Sequence, residues 1–491
     1  MEKIDTNINT IIDKIKKMNG NSCDITTRTF KLKNANVAYI YLESVSSDDK
    51  ISDFLSRSIS SDIKYKKINI FENIFNYLTN TIPSSKMQVI ETYEDLFYFL
   101  TSGFTCIIID GYNKAITFET KATLDRGVTE STSEQIVRGP KDSFTENYMI
   151  NVGLIRKRIK DPNLFITEKI VGRRTKTKVS LAYINDIVKE EHIKQIKNIL
   201  NNIDVDGVLD AGNIREYLNR NQKSSFPKIL STERPDIACS SLLDGKIVLM
   251  VENSPIMLIM PTVLVDFIHS PEDYYQNPIN VSITRILRFI SFFLTILTPA
   301  IYIALITFNH EIIPDKLLVS LNTQRQGVPF PTAIEIIILS ITFEILRESD
   351  IRLPNSMGTA VSIVGALVLG DAAVAAGIVS PITVIVVAFT SISGLLFSDI
   401  DMVNGIRVWR ALFILMSALM GLIGIVIAGL ILLIHLCSLE SLGTPYLAPF
   451  SPFNMQSQKN SLLLFPKYKI KLRDKYLNIK DATKVGGHDE K

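Results

Sequence analysis

One long apolar stretch restricts the fold of this chain more than any other part of its sequence. From Thr359 to Ser380 the only charged residue is Asp371. A helix of this length, at ~1.5 Å per residue, crosses a hydrocarbon core of ~30 Å. Small side chains recur along the stretch at four-residue spacing, first at Ser362, Ala366 and Gly370 and then at Ala373 and Gly377. A face of small residues lets helices approach closely in lipid, so the stretch predicts a membrane helix packed against protein.

The charge in this stretch admits two interpretations. A carboxylate in the middle of a span costs roughly 2.5–3.5 kcal/mol on insertion scales, and it is usually kept where it faces a partner or water. The small face and Asp371 therefore fit close packing in a helix bundle, and they also fit the lining of a pore.

The distribution of charge divides the chain into four regions. The predicted fold is a soluble α/β N-terminal region of two subdomains, an α-helical polytopic membrane domain and a basic tail. The boundaries are 1–130, 131–286, 287–436 and 437–491. We expect four full spans in the membrane domain, at 289–308, 359–380, 381–397 and 411–435.

A fifth apolar run, Ala333–Leu346, is short and carries acidic groups. In a helix, residues three or four apart face each other, so local ion pairs are available to these charges. We predict a re-entrant or interfacial helix that lies against protein rather than lipid. Its intramembrane charges are Glu335, Glu344, Arg347, Glu348 and Arg352.

Both ends of the membrane domain are predicted to face the cytoplasm. The N-terminus lacks the apolar segment of a cleaved signal peptide, and the basic segment Lys459–Lys480 follows the last predicted span. An even number of full crossings follows, which four spans satisfy. The loop Ser398–Arg410 is the exception, because it would face outward while carrying Arg407 and Arg410.

The soluble region has the pattern of an α/β protein. A helical pattern over Glu91–Gly103 precedes two strands, Phe104–Asp110 and Lys114–Thr120, which a Gly-Tyr-Asn turn joins into a hairpin. A further strand at Thr177–Asp186 and an apolar hairpin at Lys246–Pro261 indicate a second α/β subdomain.

Basic residues mark two further candidate sites. The first is a turn followed by a basic helix, with Arg138, Gly139, Pro140, Arg156 and Arg158. This helix is interpreted either as a solvated face or as a docking site for an acidic partner or anionic lipid heads. The second is the pair Arg285 and Arg288, which fits the cytoplasmic edge of the first span.

Composition and motifs exclude several classes of protein. A formal net charge of +3 is too small to indicate binding of nucleic acid. The four cysteines lack the spacing of metal ligands or of a disulfide framework. The sequence has no Walker loop, GxGxxG, HExxH or GxSxG context. We therefore expect no enzyme activity, no cofactor and no metal.

Six stretches between about residue 133 and residue 452 carry a family resemblance. They are VRGPKDSFTEN, LIRKRIKDPNL, STERPDIACSSLLDGKIVLMVENSP, PEDYY, EILRESDIRLPNSMGTAVSIVGALVLGDAAVAAGIVS and SLGTPYLAPFSP. In these stretches the chain resembles the A subunit of GerA-type spore germination receptors. One departure is the turn Glu252-Asn253-Ser254, where the family usually has a glycine.

The resemblance implies a protein of the spore inner membrane whose N-terminal region is cytoplasmic. It implies two partners, a transporter-like B subunit and a lipoprotein C subunit. It also implies that A subunits self-associate around a nutrient-gated cation channel, with the basic turn and helix as a cytoplasmic coupling motif. For this channel we predict pore-lining or gating roles for Ser362, Ala366, Gly370, Asp371, Ala373 and Gly377.

Three alternatives remain open at this level. In the first, the chain is a scaffolding or coupling subunit, and Asp371 only pairs with a neighbour. In the second it is a secondary transporter, although such folds usually have more spans and inverted repeats. In the third, the nutrient binds directly to the N-terminal region, since α/β clefts often hold small molecules.

Overall fold

The computed structural model describes residues 2–32, 35–52, 87–122, 134, 136, 138–220, 223–352, 370–477 and 479–484. The chain forms two compact units. The first comprises Met1–Asn221, Ile229–Thr262 and Lys471–Lys491, and the second comprises Gln222–Lys228 and Val263–Ile470. The segment 437–491, expected to be one basic tail, is thus divided between the two units.

The first half of unit 1 is an antiparallel sheet with two helices on one face. Its elements are α1 (Ile8–Met18), β1 (Ile25–Leu32), β2 (Ala35–Leu42), β3 (Gln88–Ile90), α2 (Tyr93–Thr101), β4 (Phe104–Ile109) and β5 (Ala115–Glu119). The strands lie in the order β1-β2-β4-β5-β3. Alternate residues of β2 and β4, such as Ile40 and Ile108, pack against α1 and α2 and form its core.

The second half of unit 1 has the same architecture. Its elements are α3 (Tyr148–Arg158), β6 (Leu164–Val171), β7 (Thr177–Ile184), α4 (Glu190–Asn201), α5 (Ala211–Leu218), β8 (Leu230–Thr232), α6 (Pro235–Leu243), β9 (Ile247–Val251) and β10 (Met257–Met260). The strands lie in the order β6-β7-β9-β10-β8. The core again lies between one face of the sheet and two helices, α3 and α6. The α/β character predicted for the N-terminal region is confirmed for these residues.

Unit 1 is therefore an internal repeat, which the sequence did not predict. In each half the order helix, hairpin, short edge strand, helix, hairpin recurs, and the second half has α4 and α5 between its first hairpin and its edge strand. The backbone repeats as well, because Gly103 and Gly245 end the second helix of each half with φ of 84° and 88°. In the turn that joins the second hairpin of each half, Gly111 and Asn253 both have positive φ, at 87° and 65°. Asn tolerates this conformation better than most residues, so its turn needs no glycine.

A buried ion pair joins the two halves of unit 1. The guanidinium of Arg156 on α3 donates to both carboxylate oxygens of Asp24, at 3.0 and 3.1 Å, and to the carbonyl oxygen of Leu164 at 3.0 Å. Both charged side chains are 0% exposed. Burial acts to raise the pKa of Asp24, but the charge and hydrogen bonds of Arg156 outweigh burial and hold that pKa below its ordinary value. The predicted solvated face is therefore wrong for Arg156.

Unit 2 is helical. Its helices are α7 (Leu264–Ile268), α8 (Pro278–Thr307), α9 (Asp315–Arg325), α10 (Thr332–Arg352), α11 (Pro381–Gly394) and α12 (Ile400–Ser438). Among the described residues, α8 and α12 are long and apolar enough to cross a membrane, while α11 has 14 residues. Four full spans are not confirmed, and most of the predicted span at 359–380 lies outside the described residues.

The chain reverses direction within α12, at Gly421. This glycine has φ 60° and ψ −137°, which is not a helical conformation. The rings of Trp409 and His435, on either side of it, have centroids 5.2 Å apart, whereas a straight helix would separate these residues by roughly 39 Å. The single span predicted at 411–435 is therefore wrong. Two antiparallel arms, 400–420 and 422–438, form a helical hairpin.

Side-chain contacts give the direction of each helix in the bundle. The first arm of α12 runs alongside α8 in the same direction, because Ser417 donates to the carbonyl oxygen of Ala300 at 2.6 Å and the amide of Leu422 donates to Asn309 at 3.4 Å. Helix α11 runs the opposite way, because Thr383 at its start lies 3.5 Å from the hydroxyl of Tyr302 and Gly394 at its end lies beside Thr295. We call the end of the bundle at the reversal the Gly421 end and the opposite end, where α8 and α12 begin, the Arg407 end.

We predict that the two arms of α12 depend on Gly424. A Cβ at this position would collide with the carbonyl oxygen of Met416 on the other arm. Replacing Gly424→Leu should lower the free energy of unfolding by about 1–3 kcal/mol, the usual cost of overpacking. The measurement is the thermal stability of the purified protein in detergent.

Gly429 on the same arm supplies the matched control, since a Cβ there meets nothing within 4 Å. Gly429→Leu should retain the stability of the unmodified protein. Equal stability of the two variants would contradict the hairpin.

Candidate functional site: the charged groups of the helical unit

The carboxylate of Glu335 is buried and joins two helices of unit 2. Its side chain, near the start of α10, is 0% exposed. One of its oxygens, Oε2, accepts from the backbone amide of Ser380 at 2.8 Å and from the hydroxyls of Ser380 and Thr383 at 3.0 Å. Ser380 is the N-cap of α11, so the carboxylate stands at a helix N-terminus, where the helix dipole favours negative charge.

A cation also approaches this carboxylate. The guanidinium of Arg325, on α9, lies 3.6 Å from Oε1 of Glu335. An ionised group in apolar surroundings is costly unless hydrogen bonds and an opposite charge accompany it. Both accompany Glu335, so this buried carboxylate connects α9, α10 and α11.

A second charged group, which we call the Glu344 cluster, lies at the Arg407 end. It consists of Glu344 and Arg347 on α10 and Arg407 and Arg410 on α12. A guanidinium nitrogen of Arg347 is 2.9 Å from the Glu344 carboxylate, which confirms the predicted pair at i,i+3. Arg407 pairs with the same carboxylate, and Arg410 lies 4.0 Å from it. The sequence identified Arg407 and Arg410 only as an exception to the charge rule, because their partner is remote in the chain.

The Glu344 cluster borders a cavity of about 560 Å³ between α8, α10, α11 and α12. Apart from the cluster, the residues that line the cavity are uncharged, and most of them are apolar. Apolar residues that line it include Phe343, Val387, Ile392, Leu395, Phe397 and Ile406. This volume is within the range of small-molecule sites in proteins.

The other charges predicted on α10 are only partly described. Glu348 is exposed and lies one turn beyond Glu344. Arg352 is the last residue of α10, and its side chain lies outside the described residues.

The predicted pore residues fall at the edge of the described chain. Ser362 and Ala366 lie outside the described residues, and the helix is described from Gly370 to residue 375. Asp371 on this helix is exposed. Ala373 is half-buried and packs against the core of unit 2. Its role in lining a pore stays a prediction.

Gly377 ends this helix. Its φ is 67°, its amide donates to the carbonyl oxygen of Val374 at 3.0 Å, and the amide of Ile378 donates to that of Ala373 at 3.0 Å. This pattern is a Schellman C-cap, in which glycine is favoured because it adopts positive φ without strain. The helix therefore stops before Ser380, and the small residue at 377 is explained by the cap.

The two membrane-edge arginines are internal to unit 2. Nε of Arg285 donates to Asp273 at 2.9 Å, and Arg288 donates to both oxygens of Asp273 at 2.9 Å. Nη1 of Arg285 also donates to the carbonyl oxygens of Asn460 and Ser461, at 3.0 and 3.2 Å. Burial acts to raise the pKa of Asp273, but the two arginines outweigh it and hold the pKa below its ordinary value. These arginines fix the 3₁₀ turn Pro271–Tyr275 to the start of α8.

The predicted coupling motif is dispersed in unit 1. Arg138 and Gly139 are exposed, while the carbonyl oxygen of Pro140 accepts from Arg234 at 2.9 Å. Nη2 of Arg158 donates to both carboxylate oxygens of Asp142, at 2.7 and 2.6 Å. The sequence missed Arg234, which is 1% exposed. Arg234 directly precedes Pro235 at the start of α6, and nothing in this local sequence indicates a partner that is distant in the chain.

Neither a metal cluster nor a disulfide is found in the described part of the chain. No group of three or more His, Cys, Asp or Glu side chains there could hold a metal ion. The four cysteines, at 23, 106, 239 and 437, are free.

We predict that removing the acceptor at Glu335 destabilises unit 2. Glu335→Leu leaves the amide of Ser380 without an acceptor, together with one of the hydroxyls of Ser380 and Thr383, which lie 2.7 Å apart. The cost is about 1–3 kcal/mol for each buried group. Glu335→Gln retains an acceptor oxygen and should lose less. Thermal unfolding of the purified protein in detergent measures both.

The exposed Glu311 provides the comparison, and Glu311→Leu should leave the unfolding temperature unaltered. Equal stability of Glu335→Leu and Glu335→Gln would show that the hydrogen bonds to Glu335 contribute nothing.

Comparison with known proteins identifies the family. The family model described as Bacillus/Clostridium GerA spore germination protein matches residues 13–476. Spore germination protein KA of Bacillus subtilis (strain 168) is 36% identical, over 97% of this chain and 87% of the relative. Spore germination protein GerLA of Bacillus cereus is 33% identical, over 98% of each chain.

One solved structure is also similar. It is the N-terminal domain of the A subunit of the Bacillus megaterium spore germinant receptor GerK3, with 29% identity and a TM-score of 0.43. The likeness covers 54% of this chain and 98% of that domain. With the family model matching nearly the whole sequence, the resemblance seen in the sequence is confirmed, and the chain belongs to the GerA family of spore germination proteins.

Proposed function

We propose that this chain is the A subunit of a nutrient-responsive germination receptor in the spore inner membrane. The observation that supports this role is the family match, which extends over residues 13–476 and so includes both units. Two relatives that match over nearly the whole chain are named spore germination proteins. A transporter-like B subunit and a lipoprotein C subunit are the proposed partners.

The proposal includes assembly of several copies around a path for cations. Most outward surfaces of the bundle carry large apolar side chains suited to lipid, such as Ile283 on α8 and Ile423 and Ile434 on α12. The outward face of the helix at 370–375 differs, because it carries Asp371 and alanines. A small face with a carboxylate suits a second copy or water rather than lipid.

Charge also distinguishes the proposed cation path from the cavity inside one copy. The cavity is lined by three arginines and one acidic residue, Glu344, so its charge repels cations. Asp371, repeated by the symmetry of an oligomer, would instead form a ring of carboxylates that attracts them. The path is therefore assigned to the contact between copies.

The helical hairpin also bears on topology. Helix α8 begins at the Arg407 end, and the second arm of α12 returns to it, so unit 2 begins and ends its crossings on one side. We assign this side to the cytoplasm, because Arg407 and Arg410 then obey the positive-inside rule. The exception noted in the sequence, a basic loop facing outward, disappears once α12 is two arms.

We predict opposite accessibility for the two ends of unit 2. In a variant without native cysteines, Glu311→Cys at the Gly421 end should react with a membrane-impermeant maleimide on intact cells. Leu395→Cys, at the Arg407 end and 74% exposed, should react only after permeabilisation. Labelling of both positions from outside would contradict the assignment.

We predict that Asp371→Asn slows the nutrient-triggered release of potassium from spores several-fold, with receptor abundance unaltered. The reason is that the substitution removes the charge of the proposed ring without changing side-chain size. Asp315→Asn, at an exposed acid on α9, is the matched control and should release potassium normally. Normal release from Asp371→Asn spores would favour a scaffolding subunit whose pathway lies elsewhere.

A further inference from the structure

The Glu344 cluster has more positive charge than its own residues neutralise. Arg347, Arg407 and Arg410 share one carboxylate, and their side chains are 28%, 20% and 14% exposed. Within the described chain, Nε of Arg347 and Nη2 of Arg407 are buried without a hydrogen-bond partner. Buried donors of this kind are costly to leave unpaired, so the cluster is suited to a further anionic acceptor.

The geometry of the donors indicates what kind of anion fits. Guanidinium groups bind phosphate oxygens through paired N–H donors, and they do so best where water is excluded. Arg347 and Arg407 approach from different helices, α10 and α12, so an anion between them would be held from two sides. A phosphate group can offer oxygens to both guanidinium groups at once, so it matches the site better than a further carboxylate side chain on one of the two helices would.

The cavity indicates what is attached to the phosphate. Its walls beyond the cluster are mostly uncharged, with aromatic and aliphatic residues such as Phe343, Val387 and Phe397. A small soluble phosphate would leave this apolar wall in contact with water, whereas an acyl chain would cover it. The combination of a basic end and an apolar body corresponds to an amphipathic ligand.

The place of the cluster in the bundle supports the same ligand. It lies at the Arg407 end, near the starts of α8 and α12 and the ends of α10 and α11. Basic pockets between membrane helices on the cytoplasmic side bind anionic lipid headgroups. We propose that this cavity binds one anionic phospholipid, with its phosphate at Arg347, Arg407 and Arg410 and an acyl chain along the apolar wall. The proposal uses the membrane placement of unit 2 and does not depend on the cation path.

The site differs from the lipid-docking surface that the sequence placed on the basic helix α3. There the side chain of Arg156 is committed to Asp24, and that of Arg158 to Asp142. In the Glu344 cluster the carboxylate is outnumbered, so the arginines retain capacity for a ligand.

The test measures lipid binding to the purified full chain by native mass spectrometry in detergent. The probes are phosphatidylglycerol and, as a neutral lipid, phosphatidylcholine. We expect selective retention of phosphatidylglycerol, weakened on the order of a hundredfold by Arg407→Gln combined with Arg410→Gln, because the double variant removes two charge-assisted hydrogen bonds to the phosphate. Lys316→Gln, which removes an exposed charge on α9, should retain binding.

Two further variants keep the test decisive if the double variant fails to fold. Glu344→Gln removes the competing carboxylate and should strengthen retention of phosphatidylglycerol, the opposite of what a purely internal ion-pair network would give. Ala388→Phe places a ring in the cavity and should exclude the acyl chain while the arginines remain.

Three results would overturn the proposal. The first is equal retention of the two lipids, and the second is retention that none of these variants alters. The third is complete displacement of phosphatidylglycerol by millimolar inorganic phosphate, which would assign the site to a soluble phosphate. None of these measurements involves nutrient or potassium release. A negative result for lipid binding therefore leaves the proposed receptor function standing. Normal potassium release from the Asp371→Asn variant likewise leaves the lipid site standing.

Discussion

The arrangement of the helical unit depends on the close contact between the two arms of α12. A reversal interrupts the hydrogen bonds of a helix, so other protein groups must pair with the amides that it frees. At Gly421 the amide of Leu422 finds the side chain of Asn309, and Gly424 lets the arms come together against Met416. This reversal returns the chain to the Arg407 end and brings His435 to Trp409 and Ser224.

Buried charges form the second layer of organisation, and most of them face an opposite charge. Asp24 with Arg156 joins the two repeats of unit 1, and Asp273 with Arg285 fixes the entry to α8. Glu335 receives three hydrogen bonds and faces Arg325. The Glu344 cluster departs from this pattern, with three guanidinium groups at one carboxylate beside an apolar cavity. The excess of positive charge beside an apolar cavity distinguishes this cluster, since Nη2 of Arg285 and Nε of Arg325 also lack a hydrogen-bond partner.

The two units contribute differently to the proposed receptor. Unit 1 repeats one α/β module, and in each copy two helices pack on one face of the sheet. Unit 2 combines an apolar outer surface with internal charges that are costly in lipid unless they have a structural or functional role. The proposed cation path uses the outer face at Asp371, and the proposed lipid site uses the inner cavity. The two proposals therefore concern separate surfaces of the same bundle.

The sequence by itself determined the class of each region and the family. Apolar run length separates helical membrane segments from the charged α/β region, and alternation of apolar residues with turn signals predicted the hairpins of β4–β5 and β9–β10. It also determined the local pair Glu344–Arg347, because residues three apart in a helix face each other.

Only the tertiary structure decided which charges are buried and with what partners. Arg156 meets Asp24, and Arg407 meets Glu344, across long stretches of chain that no local pattern encodes. The reversal at Gly421 was missed because its flanks are apolar on both sides, so hydropathy reads one continuous span. A glycine at positive φ is indistinguishable in sequence from a glycine that packs, and only the contact between distant residues separates the two.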